Sequence, residues 1–210
     1  MQFGVDEAGK GSVLGSMFAA AVRAPPDAVP DGIDDSKELT ATRREALADE
    51  LRADDRVWIG IAEIPPDRID AENMNDLTVA AHVEALGTVV RPGDTGLCDA
   101  GDVDAARFGN RVEAGVDADV TVDAAHGADG SDALVGAASV IAKSERERHV
   151  SDLRERFGEV GSGYPSDRTT RSFLRRYLEE HGSFPPQTRR SWSTCDSIRA
   201  ELEQADLGEF

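Results

Sequence analysis

Cysteine, lysine and long apolar runs are all scarce in this chain of 210 residues, and each scarcity excludes something. Cys98 and Cys195 are the only two cysteines, too few and too far apart for a disulfide framework or a C-x-x-C metal site. No apolar stretch approaches the roughly 20 residues a helix needs to span a bilayer. The first notable motif begins within a few residues of Met1, which leaves no room for a signal peptide, so a cytoplasmic protein with no membrane association is expected. There is no internal repeat and no low-complexity linker. Lysine appears three times (Lys10, Lys37, Lys143) against 20 arginines, while 41 acidic residues bring the net charge to −18. The acids are dispersed rather than gathered in a tail. Such a surface suits concentrated salt, because at about 1 M the screening length falls to about 3 Å and self-repulsion is muted. The alternative is an ordinary acidic protein that avoids nucleic acid; composition alone does not choose, and the dispersed pattern favours a halophilic protein.

What is present is organised around the opening, Phe3-Gly4-Val5-Asp6-Glu7-Ala8-Gly9-Lys10-Gly11. A short apolar run ends in two adjacent carboxylates, and a glycine-rich turn with one lysine follows. Strand alternation sends neighbouring side chains to opposite faces, so serving one site with both acids is expected to require the backbone to leave regular strand geometry there. Carboxylates suit a cation, and closely spaced amides beside a lysine suit a phosphate. Together they point to metal-assisted phosphate chemistry, although turns of this composition also occur as plain loops.

Hydrophobic patterning supplies the rest of the framework. A second strand is expected at Met17–Val22 and a third over residues 57–64, closed by Pro65-Pro66, the three forming an antiparallel meander. Between them a helix capped by Thr40 should run to about Asp54. A helix over Asp76–Val90 presents Val79, Val83, Leu86 and Val90 on one face. Thr95–Cys98 reads as a short strand delivering Asp99, followed by a loop or short helix to Phe108. A fifth strand is expected at Ala118–Val122 and a long helix from Asp132 to about Phe157. Two further helices should follow, the first burying Phe173, Leu174, Tyr177 and Leu178, the last starting near Ser191 or Ser193. This order implies a five-stranded mixed sheet flanked by helices, an α/β protein with a C-terminal helical extension. Asp6 and Asp99 sit where strands give out, and Asp129 precedes the long helix, so the three can converge.

Six stretches, in order, carry a family resemblance: GVDEAGKGSVLG at 4–15, DSKEL at 35–39, CDAGDVDAARFG at 98–109, HGADGSDALVGAASVIAKSERER at 126–148, GSGYPSD at 161–167 and RRSWST at 189–194. The chain resembles ribonuclease HII, the type 2 ribonuclease H, in its archaeal form. Ribonuclease HIII shares the catalytic set but normally carries an extra N-terminal domain. The resemblance implies a ribonuclease H-like catalytic domain over 1–182 with a helical extension over 183–210. It implies an endonuclease that hydrolyses the RNA strand of RNA–DNA hybrids and cuts at ribonucleotides embedded in DNA, leaving 5′-phosphate and 3′-hydroxyl ends. The alternatives are another metal-dependent nuclease of the same superfold or a non-catalytic nucleic-acid-binding module.

Carried over residue by residue, the resemblance makes Asp6, Glu7, Asp99 and Asp129 the catalytic, metal-binding carboxylates for two divalent ions, Mn²⁺ or Mg²⁺. Asp123 and Asp132 stand as alternatives for the fourth position, and the segment match favours Asp129. Gly9, Lys10 and Gly11 correspond to a turn that contacts the substrate around the RNA–DNA junction. Lys10 replaces the family's usual arginine and offers a point charge instead of a planar fork. Tyr164 matches the tyrosine that packs on the sugar at the junction. Ser36, Lys37, Lys143 and Arg146 are expected as backbone contacts or supports, and Glu147 replaces a frequent aspartate. His126 and Cys98 are expected to be structural, and Trp192 to anchor the last helix. A monomer is expected. A sliding clamp is a conceivable partner, but Leu207-Gly208-Glu209-Phe210 is too generic to be read as a clamp-binding motif.

Overall fold

The computed structural model describes residues 1–33 and 39–207, the last three by backbone alone. Ser36 and Lys37 therefore lie outside the described residues. Two compact units emerge, one built from Met1–Lys10, Phe18–Glu63 and Asn73–Arg146, the other from Gly11–Met17, Ile64–Glu72 and Glu147–Phe210.

The first unit holds the sheet. Its strands are β1 (Gln2–Ala8), β2 (Met17–Ala24), β3 (Trp58–Ile64), β4 (Thr95–Asp99) and β5 (Thr121–Ala125), in the order β3-β2-β1-β4-β5. β1 pairs antiparallel with β2 and parallel with β4, and β4 pairs parallel with β5, so the sheet is mixed as expected. Ala19, Ala20 and Ala21 of β2 are fully buried, which matches small side chains packed on both faces of a central strand. One sheet face is covered by α1 (Ala41–Ala53) and the first part of α5 (Ala133–Phe157). There Ala8, Ala20 and Val22 join Leu47, Leu51, Leu134, Ala138 and Ile141 in one apolar cluster. Gly4 makes this approach feasible. A Cβ on it would stand 2.2 Å from the backbone of Leu134 and Val135, so α5 rests directly on β1. α3 (Met74–Gly87) and α4 (Ala105–Gly115) complete the unit.

Local signals explain most boundaries. Thr40 accepts from Arg43 N at 3.2 Å to open α1, Asn73 accepts from Asn75 N at 2.9 Å to open α3, and Asp104 accepts from Arg107 N at 2.9 Å to open α4. The Asn73 cap starts α3 two residues before the expected Asp76, and the helix stops at Gly87 rather than Val90. β5 begins three residues later than expected, at Thr121, because Asp94 O and the β4 ladder set its register.

The second unit is mainly helical, with α2 (Pro66–Ala71), the distal part of α5, α6 (Arg168–His181) and α7 (Ser193–Leu207). α2 is absent from the expected elements: the second proline of Pro65-Pro66 sits in its first turn, where a missing N–H costs nothing. The core gathers Val13, Leu14, Leu153, Phe173, Leu174, Phe184 and Ile198, with Trp192 packed against it. Arg189 is fully buried, its Nε donating to Gly15 O at 3.0 Å. Among the described residues, no helix is long and apolar enough to cross a membrane.

Candidate active site

β1 does not leave strand geometry at the acidic pair. Its register with β2 runs unbroken through Asp6↔Ala20 and Glu7↔Ala19 to Ala8↔Phe18, which corrects the expected departure. The two carboxylates obey the alternation and find partners on different sides. Asp6 shares its side with Gly4, toward α5, and is 5% exposed. Glu7 points toward α3, where its Oε2 lies 2.8 Å from His82 Nε2. Only after Ala8 does the chain turn, with Gly9 at φ +83°. Lys10 then folds back, its Nζ donating to Gly101 O and lying 3.9 Å from Glu7 Oε1.

Asp6, Glu7 and Asp99 lie at the carboxyl ends of two adjacent parallel strands in the interior of the sheet. β4 ends at Asp99, beside the end of β1, and Asp99 Oδ1 accepts from Ala128 N at 2.9 Å. That bond holds the 3₁₀ turn Ala128–Gly130, on which the buried Asp129 sits. Neighbouring carboxylates act on Asp6 and Asp99. Burial first, then the charge of Glu7 and more weakly that of Asp99, raises Asp6 to about 7, opposed by the Ser139 hydroxyl. Burial likewise raises Asp99, helped by Asp129 and Glu7 and opposed by its bond from Ala128. Burial acts upward on Glu7 too, but His82 and Lys10 outweigh it and hold that carboxyl below its ordinary value.

The two alternative aspartates are placed elsewhere. Asp132 Oδ1 accepts from Leu134 N at 2.9 Å and Val135 N at 3.0 Å, so it serves the start of α5. Asp123 is exposed in the middle of β5, opposite Leu97 and short of the strand end. His126 is exposed, with Nε2 3.3 Å from Val103 O, a tie between the two loops beyond β4 and β5. Cys98 is fully buried, and burial beside three carboxylates pushes its thiol far up and makes it inert. Lys143 stands one helical turn after Ser139 on α5, half-buried, and Arg146 is buried.

In the second unit, Tyr164 crowns a rigid loop. Gly163 O accepts from Val13 N and Leu14 N at 2.9 and 3.1 Å, and Gly163 N donates to Thr170 Oγ1 at 2.9 Å. Asp167, brought down to about 2 by bonds from Ser162, also accepts from Thr169 N at the start of α6. The ring is 37% exposed and is not a core tyrosine. A Cβ on Gly11 would meet Tyr164 Cε1 at 3.8 Å, so the glycine and the ring share one small patch.

His82, Thr78 and Gly101 form part of the first unit's site and were not singled out by the sequence reading. They surround Glu7: a Cβ on Gly101 would lie 2.5 Å from Thr78 Cγ2 and 3.3 Å from Glu7 Oε1. The signal for them was the i, i+4 spacing of two polar residues, Thr78 and His82, on the inward face of α3.

The donor set fits a hard divalent cation. All four carboxylates offer oxygen, and their mutual repulsion, expressed in the raised Asp6 and Asp99, is the strain such an ion relieves. Among the described residues, no three Asp, Glu, His or Cys side chains already form a ready coordination set.

The model of the family described as Ribonuclease HII matches residues 3–195. The chain belongs to the ribonuclease HII family. It is 66% identical over 207 residues to the ribonuclease HII of the halophilic archaeon Natronomonas pharaonis, covering 99% of this chain and 98% of that one. The crystal structure of ribonuclease H2 from Pyrococcus horikoshii superposes with a TM-score of 0.86 at 35% identity, over 96% of this chain and 98% of the other. The ribonuclease HII in the PCNA:RNase HII complex from Archaeoglobus fulgidus gives 0.85 at 35% identity, over 95% and 97%. The fold is that of ribonuclease HII, and the protein is an endoribonuclease.

Proposed function

We propose that this ribonuclease HII cuts the RNA strand of RNA–DNA hybrids and the DNA strand at single embedded ribonucleotides, with Asp6, Glu7, Asp99 and Asp129 as its catalytic carboxylates. The observation that carries the reading is the placement of these groups at the ends of β1 and β4 and on the turn of residues 128–130, where Glu7 and Asp99 act on the buried Asp6 and where Asp129 and Glu7 act on Asp99. Two divalent ions held by the four carboxylates, Mn²⁺ or Mg²⁺, would supply water activation and stabilisation of the leaving oxygen.

The protein's own groups set the stage for in-line hydrolysis. Water oxygen bonds to phosphorus, the bond from phosphorus to the 3′ oxygen breaks, and that oxygen departs with a proton as a 3′-hydroxyl, leaving a 5′-phosphate. No serine, cysteine or histidine nucleophile is required, and the buried Cys98 thiol is far too weak an acid to supply one. Main-chain amides of Gly9 to Gly11 and the Lys10 charge suit the phosphate backbone. Tyr164, half-exposed on its braced loop, offers a face for the sugar whose 2′-hydroxyl distinguishes RNA. Lys143 and Arg146, with Ser36 and Lys37, are the further basic and polar contacts in this reading. The enzyme acts as a cytoplasmic monomer, and a sliding clamp is the protein partner to test, after the Archaeoglobus fulgidus complex.

A gel assay of duplex DNA bearing one internal ribonucleotide, with and without Mn²⁺ or Mg²⁺, tests the proposal. Metal-dependent internal cleavage at the ribonucleotide is expected, lost in Asp129→Asn and retained in Asp123→Asn and Asp132→Asn. Cleavage that needs a free chain end would make the enzyme an exonuclease, and full activity in Asp129→Asn would move the fourth carboxylate. Tyr164→Phe should retain much of the activity, and Tyr164→Ala should lose most of it on this substrate.

A further inference from the structure

His82 is a fully buried histidine whose one polar contact among the described residues is a proposed catalytic carboxylate. It lies on α3, and its Nε2 stands 2.8 Å from Glu7 Oε2. Behind it, Phe108 of α4 packs edge-on, with ring centroids 5.0 Å apart and planes at 86°, which fixes the imidazole's orientation. The other nitrogen, Nδ1, is buried and has no hydrogen-bond partner among the described residues. A proton on Nδ1 would be a buried donor with nothing to receive it, so the environment selects the tautomer protonated on Nε2, which donates to Glu7. One turn earlier on the same face, Thr78 Oγ1 donates to Met74 O at 2.8 Å, and its methyl abuts Gly101. The helix therefore presents one rigid donor to one oxygen of Glu7 and leaves the other, Oε1, on the side of Lys10.

We propose that His82 is a positioning residue for the reaction: it clamps Glu7 Oε2 so that Oε1 meets the divalent ion in a single orientation. The inference rests on the reading that Glu7 is one of the ion-binding carboxylates. A ligand carboxylate without its outer hydrogen bond samples several rotamers and loses both affinity and geometry. Two adjacent acids on one regular strand face different sides, so each depends on a different neighbouring element to fix its orientation. For Glu7 that element is α3, through His82.

The test compares His82→Leu, which removes the donor, with His82→Gln, whose amide N–H reaches the same oxygen. Mn²⁺ binding is read on the full chain without substrate, from the EPR signal of free Mn²⁺, alongside kcat, KM and melting temperature. His82→Leu should weaken Mn²⁺ binding about 10- to 100-fold and lower kcat with little change in KM, and His82→Gln should recover most of both. Where the leucine variant fails to fold, His82→Asn, with the same amide one methylene short of Glu7, takes its place. Unchanged Mn²⁺ affinity in the leucine or asparagine variant, or equal impairment of the glutamine variant, overturns the proposal. Glu7→Gln serves as the control: full cleavage there would sink the underlying assignment of Glu7, whereas loss in Glu7→Gln with none in His82→Leu sinks the role of His82 alone.

Discussion

Asp99 and Asp129 are linked through the backbone between them: Asp99 Oδ1 accepts from Ala128 N at 2.9 Å, and Ala128 opens the turn that carries Asp129. One carboxylate thus places the other. Asp99→Asn keeps an acceptor oxygen for Ala128 and loses only the charge, so it should melt like the parent while cleavage falls about 100-fold or more. Asp99→Ala loses the bond as well and should also lower the melting temperature. Equal melting of the two variants would show that the bond does not hold the turn.

Asp6 gives a pH dependence of stability in metal-free buffer. Its carboxyl is raised from 3.8 to about 7, so between these values the folded state binds a proton that the unfolded state has released. Stability must then fall as pH rises across that window, and the loss is complete above it. Asp6→Asn removes the effect and keeps an acceptor for Glu7 N. With a chelator present, its melting temperature should exceed that of the parent by several degrees near pH 8, with the gap closing toward pH 4. A gap that stays constant with pH would refute the electrostatic origin.

Gly101 has no room for a methyl group. Gly101→Ala would press Cβ against Thr78 Cγ2 at 2.5 Å and crowd Lys10 Nζ at 3.2 Å, so loop and lysine must shift. Cleavage should drop about tenfold or more, with overpacking costing about 1–3 kcal/mol of stability. Adding Thr78→Ser removes the closest atom and should restore a measurable part of both. Additive losses in the double variant would show that the clash lies elsewhere.

Asp94 should govern acid sensitivity of the first unit. Burial pushes its carboxyl up, but Arg23 at 2.6 Å, the chain's amino terminus at 2.7 Å and Arg91 N at 2.8 Å overcome this. The result is a value of about 2, below the ordinary 3.8, so the stabilisation is present above about pH 4 and is lost as pH falls toward 2. Asp94→Asn leaves Arg23 buried without its counter-charge and should cost about 3–5 kcal/mol at neutral pH. Its melting temperature should change less than the parent's between pH 4 and 2.

Salt should act oppositely on folding and on substrate. With a net charge of −18, melting temperature should rise through a KCl series to molar concentration. Hybrid binding through main-chain amides and few cations should fall less than about 10-fold between 50 and 200 mM, where a binder with many phosphate contacts loses about 10³ to 10⁵. Full stability without salt, or a steep loss of affinity, would defeat this expectation.

The features legible in the sequence are those decided by neighbours along the chain. Thr40 caps α1 because its hydroxyl reaches an amide three residues on, whereas α5 is buried on every side from Leu134 to Ala142, which no one-faced periodicity announces. The acids at the ends of β1 and β4 are legible as the Thr40 cap is, since an apolar run giving way to carboxylates is a local pattern. Dispersed acidity, too, is a property of composition. Other features needed the packed molecule. Which side of β1 each acid takes depends on a sheet register that the sequence reading expected to break and that in fact continues. The inward face of α3 was read from Val79, Val83, Leu86 and Val90, yet the helix ends at Gly87 and turns Thr78 and His82 inward as well. Glu7 and His82 are 75 residues apart, and neither end of that bond announces the other. A buried polar residue is tolerated only where the fold brings it a partner, and a partner from another element exists only once the helix is laid on the sheet.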